Sequence, residues 1–444
     1  MMNVLIFDRP FTKSFFSNYK FIPDFEITRV SDFKWHGDYD IVSQQYKHLS
    51  ISPIINDDIS DDIIRRDRFL RNIDNDIAKR LVNSIWYVYE TFLDLNRFDL
   101  VLGPPIDNYY LDILSRISDI KGIKNEFLIQ SFLPGLTRIS KRGEYRKVRT
   151  VSDGEVKEYV KHLTKPIFKP TTLKPHWSKF GLTKIYLKER LKKIYFETAK
   201  FLKRDPYSFH YNCIYPMKGA ITVMGISNID VRKNFIPYSQ TIKLISDAKE
   251  SGKHLVFLPL QFSPETTIDY YIEDNRFSFY DELIENVLSE IDDSVTIIVK
   301  EHPDIYGFRT PKFYGKFINR KNVHLVDVSI SASALIGLVD TVLVTGGGST
   351  GAEAVAKNRN VISLGDAYYE FNNMVHVIKD FDHVRLWKNY LKKANYSEDE
   401  VFSFVRYILE NTLDGPYDFV RSKRVNKVRD LENIKNIYEN ILQK

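Results

Sequence analysis

At 444 residues the chain is too long for one hydrophobic core and long enough for two domains of ordinary size. Its 43% hydrophobic and 27% charged residues exclude a disordered or membrane-spanning protein, and no window approaches the roughly 20 apolar residues that cross a bilayer. A single cysteine, Cys213, excludes an internal disulfide and fits a reducing compartment, so the cytoplasm is the expected location.

The first segment, "MMNVLIFDRPF", reads as a buried strand running into Asp8 and Arg9, without the basic flank or cleavage site of a signal peptide. "FEITRVSD" and "YDIVSQQY" read as further short strands, and "IAKRLVNSIWYVYETFLDL" has helical apolar spacing. Strand "FDLVLG" follows, then "PPIDNYYLDILSRISDIKG", a loop opening into a helix that ends at Gly122, then strand "NEFLIQS". Residues 1–205 are therefore predicted to form a first Rossmann-like domain. It includes a basic helical stretch, 141–204, with 19 Lys/Arg against 6 Asp/Glu and with Trp177, Phe180, Tyr186, Tyr195 and Phe196 among the charges. That surplus suits a solvated helix face, contact with an anionic membrane leaflet, or a grip on an anionic glycan. Nucleic acid is not expected, since no nucleic-acid-binding motif accompanies the charge.

Residues 206–240, rich in Pro, Tyr and Asn, are predicted to connect the domains, and 241–390 to form a second Rossmann-like domain. Its elements are helix "SQTIKLISDAKESG", strand "HLVFLPLQ", helix "FYDELIENVLSEI", strands "SVTIIVKEHP" and "NVHLVDV", helix "SALIGLVD", strand "TVLVT", a glycine turn, a short helix and strand "NVISLG". Residues 391–444 are predicted as C-terminal helices. Ser397 and Glu400 have capping-box spacing, and Gly415 is the expected stop. The fold class is α/β, two parallel-sheet domains whose carboxyl-end loops face a cleft.

Chemistry concentrates after three strands of the second domain. "VTGGGSTGAEAVAKNRNVISLG" places Gly346, Gly347, Gly348 and Gly351 between a strand and a helix, so the backbone can approach a ligand and the first helical N–H groups can meet an anion. The glycines formally satisfy G-x-G-x-x-G, but the next acid, Asp366, comes too early for a dinucleotide ribose. Ser349 and Thr350 add hydroxyl donors, and Glu353 lies one turn on, suited to a sugar hydroxyl. "VTIIVKEHP" ends a buried strand with Lys300, Glu301, His302 and Pro303. A His there donates to a phosphate oxygen or, as a cation, offsets charge on a leaving phosphate. "VFLPLQFSPETT" ends another strand with Gln261, Ser263, Glu265 and Thr266.

These three blocks, in this order over roughly 250–380, resemble the bacterial capsule polysaccharide biosynthesis family, which includes retaining β-Kdo glycosyltransferases. The resemblance implies a GT-B glycosyltransferase whose second domain holds the nucleotide. A His-Pro motif and a Ser/Thr motif also recur in GT-B sialyltransferases, where both contact the cytidine monophosphate of the donor. The implied donor is thus a CMP-activated ulosonic acid, with His302, Ser349 and Thr350 at the phosphate and Glu353 near the ribose. The loop after "FLPLQ" lacks the adjacent Gln-Pro of some Kdo transferases, and the glycine run is long for the family.

The catalytic carboxylate is expected from the first domain, with Asp8 and Asp107 as strand-end candidates, acting as general base or as nucleophile. The Asp57-Asp58, Asp61-Asp62 and Asp292-Asp293 pairs read as solvated, so the expected enzyme uses no metal and no cofactor beyond its nucleotide-sugar donor. Its expected partners are that donor and a glycan or glycolipid acceptor. A UDP- or GDP-hexose transferase and a non-catalytic capsule assembly protein are the competing readings.

Overall fold

The computed structural model describes residues 2–10, 25–166, 178–213, 229, 231–318, 320–415, 439 and 441. By its internal contacts the chain divides into two units, Met1–Arg149 with Tyr195–Ile214 and Glu410–Lys444, and Thr150–Ile194 with Tyr215–Leu409. These units do not follow the boundaries read from the sequence. Residues 150–194 group with the second unit, and the chain returns to the first after residue 409.

In chain order the strands are β1 (Met2–Phe7), β2 (Phe25–Val30), β3 (Leu100–Gly103), β4 (Lys124–Gln130) and β5 (Leu136–Ile139). Then come β6 (His254–Pro259), β7 (Val295–Lys300), β8 (Val323–Val326), β9 (Thr341–Thr345), β10 (Asn360–Leu364), β11 (Val375–Ile378) and β12 (Leu413–Asp414).

The first unit's sheet runs β12-β5-β4-β3-β1-β2, with β1 to β4 parallel and β5 and β12 antiparallel to their neighbours. Val4, Leu5, Ile6 and Phe7 are all fully buried, as a parallel strand covered on both faces requires. The helix Asn75–Leu95 begins at Asp74, whose carboxylate accepts from the N–H groups of Asp76 and Ile77, and buries Ala78, Leu81, Val82, Ile85 and Tyr89 at helical spacing.

One predicted strand is a helix. "YDIVSQQY" folds as helix Ile41–Lys47, because Asp40 caps it by accepting from Ser43 N at 3.0 Å and burial falls on Ile41, Val42 and Gln45. Gln45 is buried as a polar residue, its amide donating to the Leu81 carbonyl at 3.0 Å. The alternating pattern had hidden a 3.6-residue period.

The second sheet, β11-β10-β9-β6-β7-β8, is parallel throughout. Val256, Leu258, Ile297, Val299, Leu343, Ile362 and Leu364 share one buried face. Leu255, Phe257, Ile298, Val342 and Val361 are buried opposite them. From β6 the chain steps outward to β7 and β8, then crosses back and proceeds from β9 to β10 and β11. The order therefore reverses between β6 and β9, the position where open α/β sheets receive ligands. The first sheet reverses likewise, between β1 and β3.

Helix Lys179–Lys203 is tied to the second unit near its start, where Leu182 fills the place a side chain on Gly307 would need, 2.7 Å away. Ser397 and Glu400 form the expected capping box, N–H to carboxylate at 2.8 Å and N–H to hydroxyl at 3.2 Å, opening helix Glu398–Glu410. Gly415 is not its stop: the helix ends five residues earlier, and Gly415 follows β12 with φ +118°. The rest of the predicted C-terminal helices, and most of the predicted 206–240 connection, lie outside the described residues. Among those described, no helix is long and apolar enough to cross a membrane.

Candidate functional site

The glycine turn follows β9. Gly346 adopts φ +62°, a left-handed conformation that glycine takes at little cost. Side chains at Gly347 and Gly351 would collide with Tyr368 and Tyr369, the latter at 2.3 Å from the hydroxyl oxygen. Gly348 differs, since a β-carbon there meets only the Gln261 side-chain oxygen, at 3.3 Å. It is also the N-cap of helix Ser349–Ala356, so no side chain caps the first turn, and Ser349 and Thr350 are partly exposed beside it. The N-terminal dipole and N–H groups of this helix are presented at the sheet's reversal point.

Across the reversal, Gln261 is fixed from both sides. Its N–H donates to the Tyr280 hydroxyl at 2.8 Å, and its carbonyl accepts from Arg309 at 2.6 Å. Its side-chain amide donates to the Glu265 carboxylate at 2.9 Å, and Thr267 donates to the same oxygen at 2.9 Å. Glu265 thus orients Gln261. Ser263 is buried, and Thr266 opens a short helix, Thr266–Asp269.

The β7 loop alternates in role. Glu301 turns into the protein, fully buried, ion-paired with Arg309 Nε at 2.9 Å and accepting from the Tyr314 hydroxyl at 2.9 Å and the His302 N–H at 2.7 Å. Burial pushes its carboxyl up despite Arg309, which is itself sandwiched near the rings of Tyr280 and Phe313. Lys300 and His302, two residues apart, share the other side. Lys300 is 5% exposed, and its ammonium reaches the Glu301 carbonyl only at 3.5 Å; burial pulls it down to about 8. His302 Nδ1 accepts from the Asp304 N–H at 3.2 Å, which leaves Nε2 carrying the proton of the neutral ring. Its ring meets Phe262 edge-on at 5.6 Å. Burial, then the charges of Lys300 and Arg309, lower His302 to about 4, so it is a neutral donor at pH 7 rather than a cation. Pro303 begins the turn that follows, whose Ile305 N–H bonds back to His302 O at 3.0 Å.

The loops after β6, β7 and β9 thus stand at neighbouring carboxyl ends, as the sequence blocks implied. Glu353 is placed elsewhere. Its buried carboxylate is engaged by Lys357 at 2.8 Å and by the Ser333 hydroxyl, from the helix Ala332–Ile336. Asp366 accepts from the Glu273 N–H at 2.8 Å, occupied in the sheet-edge scaffold.

At the first unit's own reversal point, Arg9 is fully buried between two carboxylates. It bonds Asp32 at 2.6 Å and holds both oxygens of Asp107, at 2.7 and 2.8 Å. Asp32 also meets Asn108 and, at 2.9 Å, His210 Nε2. Burial opposes the charge on Asp32, but Arg9 and His210 hold it well below the usual carboxylate range. Asp8 sits beside His36 at 3.4 Å and Arg29 at 3.9 Å, its side chain 8% exposed against 25% for Asp107. Asp32 follows β2 as Asp8 follows β1, so the strand-end rule that found Asp8 also reaches Asp32. Nothing in the pattern "GFRTPKFY" marks Arg309.

The basic stretch separates into two parts. Lys141, Arg142, Arg146 and Lys147 pair with Asp119, Asp112, Glu126 and Glu410, so the charge of this portion is matched by acids of the first unit. In helix Lys179–Lys203 the pairs Lys192–Glu189 and Lys200–Glu197 are local. Trp177 lies outside the described residues. Of the aspartate pairs, Asp62 is the one drawn into the structure, bonding Arg66 and Arg116, while Asp57 stays exposed beside Lys79 as expected.

Residues 178–394 match the family model described as capsule polysaccharide biosynthesis protein. The family match takes in all three loops of the second unit's site. Among curated proteins, none matches the chain significantly. Similar solved structures include Thermosulfurimonas dismutans KpsC, beta Kdo 2,7 transferase, at 14% identity over 79% of this chain and 89% of that one, with a TM-score of 0.34. The beta Kdo 2,4 transferase of KpsC from the same organism is 15% identical over 70% and 79%, at 0.32. A Methanocaldococcus jannaschii UDP-GlcNAc 2-epimerase in complex with UDP-GlcNAc and UDP is 10% identical over 96% and 99%, at 0.29.

Proposed function

We propose that this protein is a capsule-family glycosyltransferase that moves an ulosonic acid from a CMP donor onto a cell-surface polysaccharide or glycolipid acceptor. The observation that carries the reading is the placement of Lys300, the Nε2–H of His302 and the uncapped turn Gly348–Thr350 on adjacent carboxyl ends of one sheet. One cation, one neutral donor and a set of backbone N–H groups suit a phosphate that gains charge as it leaves. In the step, the bond between the sugar's anomeric carbon and the phosphate oxygen breaks, an acceptor hydroxyl oxygen bonds that carbon, and its proton passes to a carboxylate. Asp107, more exposed than Asp8, is the proposed carboxylate. Glu353, committed to Lys357 and Ser333, is not assigned to the ribose.

A thermal-shift panel of CMP, UDP, GDP and NAD tests this. A ligand at 100 times its Kd stabilises by about 2.7 kcal/mol. CMP should shift the wild type and not His302→Ala. A shift confined to UDP or GDP would replace the donor class with a nucleoside-diphosphate hexose, and no shift with any nucleotide would overturn the reading.

A further inference from the structure

Helix Lys179–Lys203 has two apolar faces, and only one is used by the fold. Leu182 is buried in the core of the second unit, with Ile185 and Tyr186 packed against it. On the other side Phe180, Leu187, Leu191, Ile194, Phe201 and Leu202 are 56–81% exposed. At 100° per residue these six fall within an arc of about 100°, a continuous stripe about 33 Å long. The helix carries eight Lys/Arg against two Glu. Lys188 borders the stripe on one side, Arg190 on the other, and exposed Lys184 stands within it.

We propose that this stripe is a membrane-surface site: the helix lies along an anionic bilayer, its apolar residues at the acyl boundary and its lysines among the phosphates. Three features favour lipid. The helix is not apolar enough to span a bilayer, yet its exposed arc has the width and basic flanks of an interfacial helix. Its charge complements anionic headgroups, each Lys or Arg adding to the attraction. A second copy of the helix would pack poorly, because with Phe180, Leu187, Ile194 and Phe201 at one heptad position the other falls on Lys184, Leu191 and Thr198, so only one residue in three of the seam's second layer is apolar. The proposal is independent of the donor chemistry, since lipid binding needs no nucleotide.

The test is co-sedimentation of the full chain with vesicles of equal parts phosphatidylcholine and phosphatidylglycerol, against phosphatidylcholine alone. Wild type should bind the anionic vesicles about tenfold or more tightly. Leu191→Glu with Ile194→Glu should lose about tenfold or more, and the milder Phe180→Ser with Leu187→Ser should follow in the same direction. Lys184→Glu with Lys188→Glu should weaken binding at low salt and flatten its salt dependence. All six positions are exposed, so thermal midpoints and any CMP shift should stay at wild-type values, which separates this proposal from the glycosyl-transfer reading. Wild-type affinity in the Leu191/Ile194 variant would overturn it. So would a wild-type dimer, seen by analytical ultracentrifugation, that the same variant dissolves, because the face would then belong to a second copy.

Discussion

The hydroxyl of Tyr369 stands where a side chain on Gly351 would begin, 2.3 Å from the position of its β-carbon. From there its one proton is shared between the carbonyls of Gly348, at 2.9 Å, and Gly346, at 3.2 Å. One phenol thereby fixes the path of the glycine turn from behind, and the turn's front is left to Gly348.

Gly351→Ala should therefore cost about 1–3 kcal/mol of stability through overpacking against a buried ring. Gly348→Ala, facing only the end of the Gln261 side chain at 3.3 Å, should cost less stability than Gly351→Ala while weakening nucleotide affinity. Denaturant unfolding of the two variants checks the contrast, and equal stability losses would show that both glycines serve packing alone.

Lys300 is expected to trade stability for anion binding. Lys300→Met removes a buried ammonium with one long hydrogen bond and should raise stability at pH 7 by about 1–2 kcal/mol while weakening CMP binding. In the wild type the folded group loses its proton near pH 8 and the unfolded one near 10.5, so the unfolded chain holds more protons between these values. Wild-type stability should rise across that window, anion affinity should fall, and the variant should show neither. Unfolding and binding titrations from pH 7 to 10 read both.

The sign is the same in acid at His302. The unfolded ring takes up a proton near pH 6.5, the folded one only near 4, so stability should fall as pH drops through that window. His302→Gln should make the acid limb of the unfolding free energy shallower. An unchanged limb would place the ring in a more open setting than its contacts indicate.

Arg309→Met strands Glu301 as a buried carboxylate with a tyrosine and one N–H. A loss of about 3–5 kcal/mol is expected, measured by denaturant unfolding, and restored in part when Glu301→Leu is added. Failure of the second substitution to recover stability would count against the pair as the cause.

In the first unit, Asp32 and Asp107 both hold Arg9, but Asp32 alone is fully buried. Asp32→Asn should destabilise by about 2–4 kcal/mol, whereas Asp107→Asn should leave the fold within about 1 kcal/mol and abolish transfer. Parallel stability and activity assays separate the structural acid from the reacting one.

Much of this arrangement was legible because parallel strands announce themselves as unbroken apolar runs: "NVLIFD", "HLVFLPLQ" and "TVLVT" all became strands of buried sheets. Loops at their carboxyl ends were legible for the same reason, since topology fixes the edge on which they emerge. What escaped was set by partners distant in sequence. β5, β11 and β12 are four residues or fewer and, unlike the equally short β3, lack an unbroken apolar run to mark them. Glu353 looked like a ligand residue because nothing local foretold Ser333, and Asp40 as a cap turned an apparent strand into a helix. The glycines were read as one motif, although Tyr369 gives them different tasks.

β12 pairs with β5, and Gly415 N bonds Gly135 O at 2.9 Å, so the first unit is completed by residues that lie about 278 positions beyond Thr137. At about 5–20 residues per second, a ribosome takes roughly 14–56 s to supply them. Throughout that interval the nascent chain would present β5 with an unfilled outer edge, the kind of exposed ladder that recruits other strands. Vectorial synthesis therefore finishes the N-terminal fold last. Fragments ending before residue 410 are therefore expected to express in lower soluble yield than the full chain, which a truncation series would read.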